Sequence, residues 1–229
     1  MILKRKVVLI LLCILPVVSV LLVLYNKAIP SFAGNRPYTV VLDAGHGAPD
    51  GGAVGLNGTE EQEINLKITL KLREILENRG VKVIMTREDS NSICDSNAKT
   101  LHEMKISDMK KRLSIINNSG ADLFLSIHMN SFTNSNASGL HIFYSRNHPE
   151  AEPVASAIQD SIAEITGAKT HSVKSASDTL YLMKNPKPPS ILVECGFISN
   201  PNEEKLLNDE NYQAKIAFAI ANAIRSEYQ

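Results

Sequence analysis

The chain has 229 residues, 44% of them hydrophobic, which suffices for one domain with a substantial buried core and excludes an intrinsically disordered protein. Its 24 basic residues balance its 24 acidic ones without long runs of either sign, so it lacks the electrostatic footprint of a nucleic-acid binder and no nucleic-acid partner is expected. Of three cysteines one lies in an N-terminal apolar stretch; Cys94 and Cys195 are too few for a disulfide scaffold or a thiolate zinc cluster, so any metal must be held by histidine and carboxylate.

Lys4, Arg5 and Lys6 precede an apolar run from Val7 to Tyr25 broken only by Pro16 and Ser19, the charge-then-apolar order of an export signal. The run is longer than a usual signal-peptide core and close to the roughly 20 residues that span a bilayer. Residues 1–33 are therefore read as a signal anchor or, with Ser31-Phe32-Ala33 as cleavage site, a signal peptide. In both cases residues 34–229 are exported to the extracytoplasmic face of the membrane, which the chain meets through its N-terminal segment.

From Tyr38 onward, short apolar runs alternate with segments of helical period, the pattern of a single α/β domain: a twisted, mostly parallel β-sheet flanked by helices. Tyr38 to Asp43 is the first strand. Glu60 to Arg79 carries Ile64, Ile68, Leu72, Ile75 and Leu76 on one helical stripe, with Thr59 and Gln62 at capping-box spacing and Gly80 as the stop. Val81 to Thr86 is the second strand. Glu88 to Lys105 is polar and aperiodic, and is expected to be an exposed loop. Ser107 to Asn118 is a helix with Met109, Leu113 and Ile116 inward, followed by strands at Leu123 to Ile127 and Leu140 to Tyr144. Val154, Ile158, Ile162 and Ile165 mark another helix, Thr170 to Asp178 a rim loop or connector, Thr179 to Met183 a short strand, and Ser190 to Val193 the last strand. Asn200-Pro201 followed by Glu203 reads as a helix start, and a helix from Tyr212 to Glu227 closes the chain.

The chemistry concentrates at strand ends, where ligands bind in α/β sheets. His46 stands in the glycine-rich loop Asp43-Ala44-Gly45-His46-Gly47-Ala48-Pro49-Asp50-Gly51-Gly52-Ala53. A phosphate-cradling loop fails as a rival, because no helix follows directly and no P-loop lysine is present. His128 ends the third strand and Glu194 directly follows the apolar Ile191-Leu192-Val193, where an unpaired charge costs several kcal/mol. Glu60, Glu61 and Glu63 open the first helix; any two of them can merely complement the helix dipole, and the third is a candidate ligand. Two histidines and a glutamate around an open position are a hydrolytic zinc arrangement, and a further glutamate can act as general base and acid.

These segments carry a specific resemblance. Asp43-Ala44-Gly45-His46-Gly47, Gly52-Ala53-Val54-Gly55, Glu61-Gln62-Glu63-Ile64-Asn65-Leu66, Thr86-Arg87, Ser126-Ile127-His128-Met129-Asn130 and Val193-Glu194-Cys195-Gly196-Phe197-Ile198-Ser199-Asn200-Pro201 resemble, in order, the zinc-dependent N-acetylmuramoyl-L-alanine amidases of the amidase-3 family. The resemblance implies one zinc ion held by His46, Glu61 and His128, with Glu194 as the catalytic carboxylate. It implies a peptidoglycan substrate cut between the lactyl carbonyl of N-acetylmuramic acid and L-alanine. The export signal, the bare catalytic domain and Tyr181-Leu182-Met183-Lys184 are similar to the CwlD-type sporulation amidases, which implies a role in spore cortex and muramic δ-lactam formation. Some clostridial members of that subgroup depend on a lipoprotein partner, and the resemblance allows an activating lipoprotein here. Ala48-Pro49 and His171 depart from the family pattern, which bears on rim contacts to substrate rather than on metal binding.

His102, His141, His148 and His171 have no partner motif and read as surface or structural. Cys195 lacks a dedicated base and reads as a small buried hydrophobe. Arg87 and Arg112 suit either a substrate contact or an ion pair bracing the sheet edge. Two rival functions remain: a non-catalytic wall-binding protein, which has no need of Glu194, and a zinc peptidase cutting within the stem peptide.

Overall fold

The computed structural model describes residues 36–227; the expected signal segment, residues 1–33, lies outside the described residues. Among the described residues no helix is long and apolar enough to cross a membrane. Six strands, β1 (Thr39–Ala44), β2 (Lys82–Met85), β3 (Leu123–Asn130), β4 (His141–Tyr144), β5 (Lys174–Ser175) and β6 (Ser190–Phe197), form one sheet in the order β2-β1-β3-β6-β4-β5. The pairs of β1 with β2, β1 with β3 and β3 with β6 are parallel, and β4 runs antiparallel to β6. Helices α1 (Glu61–Asn78), α2 (Leu101–Asn118), α3 (Glu152–Thr166), α4 (Pro201–Leu207) and α5 (Glu210–Glu227) flank it, as expected of the α/β class.

Strand alternation sorts the apolar residues into two cores. Leu42, Leu125, Ile127 and Val193 point to the face covered by Ile64, Ile68 and Leu72 of α1 and by Ile220 of α5, which also packs on α3. Val41, Phe124 and Leu192 point to the other face and meet Ile116 of α2 with Leu182 and Met183. Along this second face, toward the carboxyl ends of the strands, the side chains turn polar: Asp43 pairs in register with Ser126, and His128 with Glu194.

Four local expectations change, the first being that the Thr170–Asp178 connector contributes the short edge strand β5. The Thr59–Gln62 cap is not made, because the N-cap is Glu60 and the Thr59 hydroxyl accepts from Asn208 Nδ2 at 2.8 Å. Instead, the Glu61 and Gln62 amides donate to the carbonyls of Ala53 and Gly51, so the glycine loop itself caps α1. Helix α2 starts at Leu101, six residues before the expected start, because Thr100 and Glu103 form a complete capping box. The segment Tyr181–Met183 is a 3₁₀ turn rather than a strand. Its adjacent Leu182 and Met183 are both buried, which strand alternation would prevent on a single face. The start of α4 is as read, with the Asn200 side chain accepting from the Asn202 and Glu203 amides.

The centre of the second face is ionic. Arg112 is fully buried and donates to Asp43 Oδ1 at 2.6 Å and Asp108 Oδ2 at 2.7 Å, while Thr86 and Ser126 donate their hydroxyls to Asp43, each at 2.6 Å. Burial by itself would raise the Asp43 carboxyl, but Arg112, His128 and the two hydroxyls outweigh it and hold the group at about 2, below its ordinary 3.8. A depressed carboxyl stabilises the fold above its unfolded value and loses that contribution as pH falls through the folded one. Unfolding free energy is therefore expected to fall by about 2 kcal/mol between pH 4 and 2 on account of this group. Urea titrations across that range should show a shallower pH dependence in Asp43→Asn, from a lower starting stability.

Candidate metal centre

The loop after β1 is shaped by its carbonyls. Ala44 O accepts from Arg112 Nη1 and Arg87 Nε, both at 2.8 Å; Gly45 O accepts from Arg87 Nη2 at 3.0 Å and Asn65 Nδ2 at 3.1 Å; and His46 O accepts from Arg112 Nη2. The two arginines thus brace the sheet edge and the loop, the structural alternative of the two expected for them. Held this way, His46 adopts φ 62°, a left-handed backbone uncommon for a residue with a side chain. Gly45 leaves room for a ring: a Cβ there would lie 2.2 Å from His128 Cε1.

Glu61, Glu60's neighbour at the first position of α1, is the glutamate that faces the histidines. It is buried, with Oε1 2.9 Å from His128 Nδ1 and Oε2 3.2 Å from His46 Nε2. The Met129 amide and Asn65 Nδ2 donate to Oε1, and the Ala53 amide to Oε2. Glu60 instead accepts from Gln62 Nε2. Burial opposes the Glu61 charge, yet the two imidazoles hold its carboxyl well below the usual carboxylate range. Burial would likewise lower His46, but Asp50 and Glu61 raise it to about 9. This environment favours positive charge among the three side chains.

His46, Glu61 and His128 each offer a ligand atom, all within 4.8 Å of one another. Two imidazoles and a carboxylate suit a divalent metal of the zinc type with an open position. The outer shell fits as well, since Asp50 Oδ2 lies 3.1 Å from His46 Nδ1 and leaves Nε2 turned toward Glu61. Glu194 stands beside His128 on β6; its Oε2 is buried with no hydrogen-bond partner, and burial pushes its carboxyl up to about 7. Two cavities meet the centre on either side of His128. One of about 230 Å³ lies between the His46 loop and the first turns of α2, and one of about 220 Å³ lies between Glu194 and the Tyr181–Met183 turn.

Residues 40–226 match the N-acetylmuramoyl-L-alanine amidase family, amidase-3, and the chain belongs to that family: it is an enzyme, a peptidoglycan amidase. Its sequence is 38% identical to a germination-specific N-acetylmuramoyl-L-alanine amidase of Bacillus subtilis, over 81% of this chain and 77% of that protein. Its fold is similar to that of the CwlD amidase from Clostridioides difficile, solved in complex with the GerS lipoprotein, at TM-score 0.80 and 42% identity over 83% of this chain and 98% of that one. The catalytic domain of the CwlV amidase from Bacillus (Paenibacillus) polymyxa var. colistinus gives TM-score 0.71 and 31% identity, over 83% and 98% of the two chains.

All four residues singled out in the sequence meet at one end of the sheet. None of the remaining histidines joins the ligand cluster: His141 stands opposite Glu194 across the β4–β6 pair and packs edge-to-face on His171 with centroids 4.1 Å apart, His148 sits by Glu150 and the Pro186 carbonyl, and His102 is exposed. Cys195 is buried, and burial with the Glu194 and Glu61 charges pushes its thiol well above the ordinary range, so it behaves as a hydrophobe. Sequence reasoning assigns no role to Asp50 or Asn65, which orient His46 and hold Glu61. The available signals were the spacing of four residues from His46 to Asp50, and of one helical turn from Glu61 to Asn65. Gly45→Ala is expected to displace the His128 ring and weaken divalent-metal affinity by about tenfold or more, measured by competition with a chromogenic chelator, while far-ultraviolet circular dichroism stays unchanged.

Proposed function

We propose that this protein is an exported, zinc-dependent amidase that removes stem peptides from peptidoglycan by hydrolysing the bond between the lactyl carbonyl of N-acetylmuramic acid and L-alanine. The observation that carries this reading is the convergence of His46, Glu61 and His128 beside Glu194, the glutamate whose buried Oε2 has no partner. A zinc ion held by the first three would supply a Lewis acid that polarises the amide carbonyl and acidifies water. Glu194, with a carboxyl near 7, is poised to take a proton from the attacking water and pass it to the departing alanine nitrogen. Asp50 keeps His46 oriented, and Arg87 and Arg112 keep its loop in place.

The charged-then-apolar order of residues 1–33 supports export or membrane anchoring, with residues 34–229 as the zinc amidase domain acting on the extracytoplasmic side. Similarity to a germination-specific amidase supports a role in the spore cortex. There, in the space between the forespore membranes, peptide-free muramic acid would be the starting material for δ-lactam closure by a deacetylase. The lipoprotein complex of the Clostridioides difficile relative supports an activating lipoprotein partner for this chain also.

Mass spectrometry of peptidoglycan digested with the purified protein, with and without zinc, tests the reaction. Free stem peptides and peptide-free muramic acid, formed only with metal, are expected; cleavage within the stem would make the protein a peptidase, and intact wall would point to a wall-binding protein if the sample holds no zinc and to an amidase awaiting its partner if it does. His46→Ala should lose both zinc and hydrolysis. Glu194→Gln should retain stoichiometric zinc by atomic absorption while turnover falls by about a hundredfold to ten-thousandfold. Full zinc occupancy and full activity of the purified chain alone would remove the need for a lipoprotein activator.

A further inference from the structure

We infer that Lys105 is a specificity determinant that seats a carboxylate of the stem peptide in the cavity between the His46 loop and α2, leaving the glycan half of the substrate to the cavity beside Glu194. The inference rests on the amidase reading above. A substrate cut where a sugar joins a peptide lays one half on each side of the reacting carbonyl, and two cavities of similar volume flank His128 in this way.

Their linings differ in charge. The cavity beside Glu194 has no lysine or arginine among its lining residues; it offers Thr179 and the half-exposed ring of Tyr181, and Glu194 itself disfavours a second anion there. The cavity beside His46 contains one lysine, Lys105, placed in the second turn of α2 by the capping box at Thr100. Two carboxylates share that cavity, but both are engaged. Asp108 accepts from Arg112 and from the Ile93 amide, and Asp50 from His46 and from the Gly52 amide. Lys105 Nζ lies 3.0 Å from Asp50 Oδ1, and its side chain is 50% exposed. An ammonium has three donors, so the Asp50 contact leaves two for a ligand. Leu101 and Met104 on the same helix add apolar wall for small aliphatic side chains. Of the two halves of the substrate, the peptide is the acidic one, with free carboxylates beyond the alanine, whereas the sugar around the cut bond is uncharged. Charge complementarity therefore assigns the peptide to Lys105 and sets the direction in which the substrate lies.

Lys105 also touches Asp50, which holds His46, so the test must separate recognition from support of the metal centre. Peptidoglycan with free stem carboxylates and the same material amidated with carbodiimide and ammonium are each digested by the zinc-loaded full chain in detergent, as wild type, Lys105→Met and Lys105→Arg. The wild type is expected to release peptide from the free-carboxylate wall about fivefold faster than from the amidated wall, the size of one partly exposed ion pair. Lys105→Met should bring that ratio to about one and Lys105→Arg should restore most of it, with equal zinc content in all three. Equal rates on the two walls in the wild type, or a ratio unchanged in Lys105→Met, would overturn the assignment. So would a Lys105→Met protein that loses zinc, or that slows equally on both walls, since Lys105 would then act only through Asp50. Release from neither wall by the wild type, alone and with the lipoprotein activator proposed above, would instead overturn the amidase reading itself, and this inference with it.

Discussion

A fully buried guanidinium must find acceptors for its donors, and the way Arg112 finds them builds the site. Two of its partners are carboxylates, Asp43 on the strand and Asp108 on its own helix; two more are the carbonyls of Ala44 and His46. The same group that neutralises Asp43 therefore dictates where the chain goes after β1. Arg87 takes the intervening carbonyl of Gly45 and reaches the Gln62 carbonyl, tying the loop to the start of α1. The left-handed backbone of His46 costs energy that the loop alone has no means to recover. It persists because the surrounding carbonyls are already committed.

With His46 fixed, the chemistry divides between two glutamates in contrasting surroundings. Glu61 receives backbone amides from Ala53 and Met129 and lies against two imidazoles, so it stays ionised despite burial. Glu194 sits a short distance across the sheet, and its Oε2 receives no donor, so burial dominates and its carboxyl rises toward neutrality. One environment suits holding a cation and the other suits exchanging a proton near neutral pH. Such separation of paired titratable groups by environment is how one residue type fills two roles in a hydrolase.

Much of the fold was legible because alternation and helical period report burial on a sheet with covered faces. Tyr38 to Asp43, Leu123 to Ile127 and Ser190 to Val193 read as strands because each is a short apolar run ended by turn or polar residues, and Ile64, Ile68 and Leu72 mark the face of α1. The misread places differ in cause: at Thr59 a local signal lost to a longer-range contact, and at the start of α2 the local capping box of Thr100 and Glu103 prevailed over an aperiodic apolar pattern. Thr59 has the right spacing for a cap, but its hydroxyl is taken by Asn208, a residue 149 positions away. The first turns of α2 look aperiodic because their inward side chains form the cavity wall, and its later buried face includes Asp108 and Arg112 rather than apolar residues alone.

By itself the sequence determined the α/β class, the strand ends where chemistry collects, and His46, His128 and Glu194 as its candidates, since residue type and strand termination are local properties. The resemblance selected Glu61 from three neighbouring acids; helical spacing alone left Glu60 and Glu63 equally open. Only the tertiary structure decided that Glu61 faces both imidazoles while Glu60 turns to Gln62, that Asp50 orients His46, and that Arg87 and Arg112 serve the loop rather than the substrate. The physical reason is that a carboxylate or guanidinium acquires its role from the partners burial leaves within about 3 Å of it, and for Glu61, Arg87 and Arg112 the deciding partners, His128 and the loop carbonyls, come from segments distant in sequence.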